Sequence, residues 1–180
     1  MSHELRFERV FDAAPEEVFD AYTDPEGLEE MYGLDDPGWI VESGGSISVG
    51  DEWSVAFGPS RGELYRFTHR FEVIDRPRRV VFRSNEAGPR GADFDTEVEV
   101  TFEEEGGGTR MKVVQRGFPS AEVRDFHEAG LPNAFDRVER FVRKRVSKEG
   151  PIHRDRFRRH RFYEEDTMSD VHVRSGTLST

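Results

Sequence analysis

His69 is the residue whose setting most invites chemistry. It stands between Phe67 and Phe71 at two-residue spacing, with Tyr65 and Val73 continuing the same face. An imidazole on an otherwise apolar strand face can act as a general base or as the polar anchor of a cavity, because it exchanges its proton near neutral pH. Gln115 and Tyr65, also on inward-pointing positions, supply an amide and a phenol that could orient a guest. A buried histidine held by a neighbour accounts for the same pattern without chemistry, and no second acid–base group stands beside His69 in the sequence.

Other chemistry-bearing residues read as solvated or structural. Glu103-Glu104-Glu105 and Asp35-Asp36 carry oxygen ligands but lack the alternation of a calcium loop, so they read as turn charge. His3, His127, His153, His160 and His172 show no paired spacing on one element, and the absence of Cys removes thiolate sites, thiol catalysis and disulfides. Gly106-Gly107-Gly108 is not followed by the Lys-Ser/Thr of a phosphate loop, and Ser43, Ser46 and Ser48 lie in no nucleophile elbow. No metal and no cofactor is expected.

The elements that must position His69 follow from periodicity. Leu5, Phe7 and Phe11 alternate as a first strand; Pro15 then opens a short helix with Val18, Phe19 and Tyr22, and Asp24-Pro25 opens another with Leu28, Met31 and Tyr32. Pro37-Gly38 and Gly44-Gly45 punctuate a loop holding a short strand from Trp39 to Val41. Trp53, Val55 and Phe57 alternate next, then Tyr65 to Val73, then Val80-Val81-Phe82 after the turn Asp75 to Arg78. Phe94, Thr96, Val98, Val100 and Phe102 precede the turn at Glu103 to Gly108, and Thr109, Met111, Val113 and Gln115 follow it. Strands joined by short turns form an antiparallel meander with one wet and one dry face. From Ser120 the period becomes helical, through Val123, Phe126, Gly130, Ala134, Val138, Phe141, Val142 and Val146, with Pro132 expected to kink or split the helix near Gly130. This stripe, Phe126 and Val138 included, is expected to face the sheet.

The chain has 180 residues and a formal charge of −11. Residues through Val146 hold 31 acidic against 19 basic side chains, and only Lys112, Lys144 and Lys148 are lysines. An acidic body is a poor match for nucleic acid. Arg154, Arg156, Arg158, Arg159 and Arg161, interleaved with Phe157, Phe162 and Tyr163, form an Arg-rich tail that reads as a flexible end or a strip on the acidic body. No apolar run reaches the length of a membrane span and the start shows no basic-then-apolar leader, so a cytoplasmic location is expected.

The order strand, two short helices, about six antiparallel strands and one long helix resembles the helix-grip, START-related superfamily (SRPBCC), in the branch of activators of the ninety-kilodalton heat-shock protein's ATPase. Ala14-Pro15-Glu16-Glu17-Val18-Phe19 and Thr23-Asp24-Pro25-Glu26 carry the resemblance at the strand-to-helix opening. Met31-Tyr32-Gly33 stands where the family usually shows an aromatic pair, often with Trp. Val49 to Trp53, Ile74 to Phe82, Gly107 to Met111, and Gly117-Phe118 followed by His127 to Gly130 extend it to about residue 146. Where the family often continues Gly-Trp, this chain has Gly130-Leu131.

The resemblance implies an α+β fold: a curved antiparallel sheet of six to seven strands wrapped around a long C-terminal helix. Residues 1–146 would form this domain and 147–180 the tail. A small hydrophobic or amphipathic molecule would bind between sheet and helix against Trp53, Val55, Phe57, Tyr65, Phe67, His69, Phe71, Val98, Val100, Met111, Val113, Gln115, Leu131 and Phe135. Two other roles stand beside it: a module acting on a chaperone ATPase, and a polyketide cyclase- or hydratase-like enzyme using His69 or Tyr65. Binding without catalysis is the reading carried forward.

Overall fold

Two prolines and an aspartate set the N-terminal geometry. β1 (His3–Phe11) leads into α1 (Pro15–Tyr22) and α2 (Pro25–Met31), each opened by a proline whose missing N–H would have no partner in a first turn. The Glu17 side chain returns to the Ala14 N–H (2.9 Å), and Asp24 Oδ1 accepts the Glu26 N–H (2.9 Å), so both helices start on defined caps. Gly27 lets α2 pass close under α1, for a Cβ there would meet the Ala21 carbonyl oxygen at 1.9 Å. The computed structural model describes residues 3–91 and 93–149.

The meander follows as β2 (Ile40–Gly45), β3 (Glu52–Gly58), β4 (Tyr65–Asp75), β5 (Arg79–Ala87), β6 (Phe94–Glu105) and β7 (Gly108–Phe118). β1 pairs with β7, giving one antiparallel seven-stranded sheet in the order β1-β7-β6-β5-β4-β3-β2. It curves without closing into a barrel, and α3 (Ala121–Glu149) packs across its dry face. Alternation places Trp53, Val55, Phe71, Val80, Phe82, Val98, Val100, Phe102, Met111 and Val113 in one core with Phe135, Val138, Phe141 and Val142 of α3. The α+β helix-grip expectation is therefore met. Among the described residues no helix is long and apolar enough to cross a membrane.

Several local expectations need correction. β2 begins at Ile40 rather than Trp39 and takes in Gly44 and Gly45. β4 is not one continuous face: its pairing with β5 shifts between Phe71 and Val73, and beyond this bulge Ile74, not Val73, packs against the core. Pro132 does not split α3, which is one helical span. Phe126 is not part of the packed core: it is 61% exposed, although its ring meets Tyr65 of β4. Val146, on the expected stripe, is also exposed. α3 runs to Glu149, and the Arg-rich segment expected from residue 147 onward otherwise lies outside the described residues.

Candidate functional site

Large rings on the sheet and a helix with Gly130, Leu131 and Ala134 on its inner side leave a void where the two layers meet. The cavity holds about 480 Å³, within the range of small-molecule sites. Of the residues expected there, Phe57, Tyr65, Phe67, His69, Val98, Val113, Gln115, Leu131 and Phe135 line it. Trp53, Val55, Phe71, Val100 and Met111 share the dry face but are packed into the core away from the void. Tyr22, Met31, Tyr32, Trp39, Phe82, Glu86, Phe126, His127 and Arg137 line it without having been expected. Phe126 stacks on Tyr65 (centroids 6.0 Å apart), so the ring lost from the core forms part of the cavity wall.

His69 is 4% exposed, with Trp53 stacked beside it (5.9 Å, 15° between planes) and Phe82 edge-on (4.7 Å). Its Nε2 lies 2.8 Å from the Tyr32 hydroxyl, while Nδ1 is buried without a hydrogen-bond partner. Burial disfavours the imidazolium and pushes the His69 pKa down to about 4, so the ring is neutral at pH 7. Burial likewise pushes the Tyr32 phenol well above its usual range.

Tyr32 is fixed from both sides. It follows α2 as its C-cap, and its carbonyl accepts the Trp39 indole N–H at 2.9 Å. Gly33 adopts φ +102, and a Cβ there would meet the Trp39 ring at 2.7 Å. This turn therefore needs glycine both for its backbone and for the indole packed on it.

A second polar cluster centres on Glu86, which is 2% exposed. Its Oε1 accepts from Gln115 Nε2 (2.8 Å) and Thr96 Oγ1 (3.1 Å), and Gln115 Nε2 also reaches Thr96 Oγ1 (2.9 Å). Its Oε2 lies 2.6 Å from His127 Nε2. The Val123 carbonyl, 2.9 Å from His127 Nδ1, can only accept, so Nδ1 carries a proton. The short Nε2 contact then holds a second proton, and two further donors on Glu86 favour an imidazolium–carboxylate pair. Burial alone would lower the His127 pKa, but the Glu86 carboxylate and the Val123 carbonyl outweigh it and the net shift is upward.

Glu86 was legible in principle: Val80, Phe82, Ser84 and Glu86 continue one alternation on β5, and all four are buried. His127 precedes Leu131 and Phe135 at four-residue spacing, the same helix face. At the other end, Arg137 pairs with Asp36 (Nε to Oδ2, 3.0 Å) and donates to the Met31 carbonyl (3.2 Å). Among the described residues no cluster of His, Asp and Glu could hold a metal ion.

A curved sheet gripping one long helix over a lined cavity defines a helix-grip protein of the START-related type. The chain belongs to the family described as Activator of Hsp90 ATPase homolog 1-like protein, whose profile matches residues 12–143. Protein CV1439 from Chromobacterium violaceum is 22% identical, with a TM-score of 0.66 over 78% of this chain and 97% of that one. Protein Mll3558 from Rhizobium loti is 21% identical, with a TM-score of 0.67 over 78% and 96%. A Rhizobium leguminosarum protein is 18% identical, with a TM-score of 0.70 over 80% and 96%. At these identities the likeness is one of fold. No curated protein matches the chain.

Proposed function

We propose that the chain binds a small, largely apolar molecule non-covalently in the cavity between its sheet and α3. The carrying observation is the void of about 480 Å³ whose walls are mostly rings and aliphatic side chains, with polar atoms gathered at Tyr32–His69 and at Glu86–Gln115–His127. A dry wall with a few convergent polar groups is what a small-molecule site requires. Binding accounts for the histidine better than proton abstraction does. With a pKa near 4, His69 is a weak base at neutral pH, and its Nε2 is already engaged by Tyr32.

Leu131→Trp tests this reading, because an indole at this lining position would occupy the void. The neutral environment-sensitive dye prodan should bind the folded wild type with a blue-shifted emission. In Leu131→Trp its affinity should fall about tenfold or more, near 1.4 kcal/mol, with the circular dichroism unchanged. Equal prodan affinity in a folded Leu131→Trp variant would place the dye site elsewhere.

A further inference from the structure

We infer that the cavity selects an uncharged, ring-bearing ligand with an acceptor oxygen for the Tyr32 hydroxyl, and turns away carboxylates of the same shape. This rests on the binding reading above and names the chemistry of its ligand.

The wall's ionic groups are already engaged by protein partners. Among the described residues, the lining side chains able to carry positive charge are His69, His127 and Arg137. His69 is buried and neutral. His127 is bound to Glu86, and Arg137 to Asp36 and the Met31 carbonyl. A ligand carboxylate entering this space would find no free cation and would lose its water, a costly exchange for an ion. An ammonium fares no better at Glu86, whose two oxygens already accept from Gln115, Thr96 and His127. A neutral guest meets neither penalty.

The His69 tautomer decides which proton the Tyr32 hydroxyl can offer. Nδ1 has no partner, and a buried orphan N–H is rarer and costlier than a buried orphan lone pair. The proton therefore sits on Nε2 and is donated to the Tyr32 oxygen 2.8 Å away. That bond leaves the phenol's own proton free, on a side chain that lines the void. His69 is thus a positioning residue, and Tyr32 presents a donor to the guest. Phe57, Phe67 and Tyr65 from the sheet and Phe126 and Phe135 from α3 supply ring faces for a flat guest to stack on.

Isothermal titration with two naphthalenes of one shape, the ketone acetonaphthone and the carboxylate naphthoate, separates the possibilities. On the wild type at pH 7 the ketone should bind about thirtyfold tighter or more. Tyr32→Phe should weaken the ketone about five- to tenfold. Asp36→Asn, which removes the counter-charge of the Arg137 guanidinium, should move the naphthoate-to-ketone affinity ratio about tenfold in favour of naphthoate. Naphthoate binding the wild type as tightly as the ketone would overturn the inference while leaving the cavity a binding site. So would a folded Tyr32→Phe protein with undiminished ketone affinity. Failure of both compounds to bind would overturn the cavity-binding reading itself, and this inference with it.

Discussion

Val138→Asp is expected to remove a large part of the fold's stability at 25 °C. Val138 is 1% exposed in the seam between α3 and the sheet, packed in one cluster with Phe135, Phe141, Val142 and the inward side chains of the strands. The cluster around Val138 is apolar, so an aspartate here would place a charge among hydrocarbon side chains. The penalty, with the lost valine packing, is about 4 kcal/mol or more, against a total stability of roughly 5 to 15 kcal/mol for a domain. Urea unfolding followed by circular dichroism reads this directly. The same substitution at Phe126, which is 61% exposed, should cost far less. A Val138→Asp protein with wild-type midpoint would show that α3 does not close the core.

The second large effect is a dependence of stability on pH that His69 imposes. In the unfolded chain its imidazole takes a proton near 6.5, whereas in the fold burial holds it neutral down to about 4. Across that window the unfolded state binds more protons, so stability is full above pH 6.5 and is lost as pH falls towards 4. The contribution from pH 7 to pH 4 is about 3 kcal/mol. His127 acts with the opposite sign. Its folded pKa is raised, so its contribution is present at low pH and is lost as pH rises through that raised value. Comparing urea midpoints of the wild type and His69→Gln at pH 7 and pH 4 isolates the first effect from the many carboxylates that titrate in both proteins. The wild type should lose about 3 kcal/mol more than the variant over this interval. Parallel pH profiles would mean that His69 is hydrated or already protonated.

Most of the architecture could be read from spacing because most strands keep largely to a period of two and each short helix opens on proline. One error arises where a single residue changes the count. The extra residue near Glu72 swaps Val73 for Ile74 on the core face, and alternating residues on either side give no warning of it. On α3, Phe126 keeps the helical spacing but lies where helix and sheet part, so its ring stands exposed at the cavity wall beside Tyr65.

The cavity was legible only in part, and for a different reason. Phe67, His69, Val98, Val113 and Gln115 line it and follow from the alternation of their strands. Glu86 lies on an equally regular alternation, but a carboxylate reads as solvent-facing until its partners Thr96, Gln115 and His127 are brought to it by two other strands and a helix. Tyr32 keeps the helical spacing of Leu28 and Met31 as the C-cap of α2, but only the tertiary approach of β4 gives its hydroxyl to His69. Trp53 and Met111 share the inward face with His69 and Gln115, yet the void is elsewhere. Sequence period assigns the face; the place along the face where helix and sheet part company is a property of packed volumes.

A guest is expected to occupy the space between sheet and α3. Intermolecular nuclear Overhauser effects between acetonaphthone and methyl-labelled protein test it most directly. Contacts are expected to the methyls of Val98, Val113, Leu131 and Met31, which line the cavity from β6, β7, α3 and α2. Contacts confined to the exposed Val10, Val49 or Val146, with the four cavity methyls silent at saturating ketone, would contradict the account.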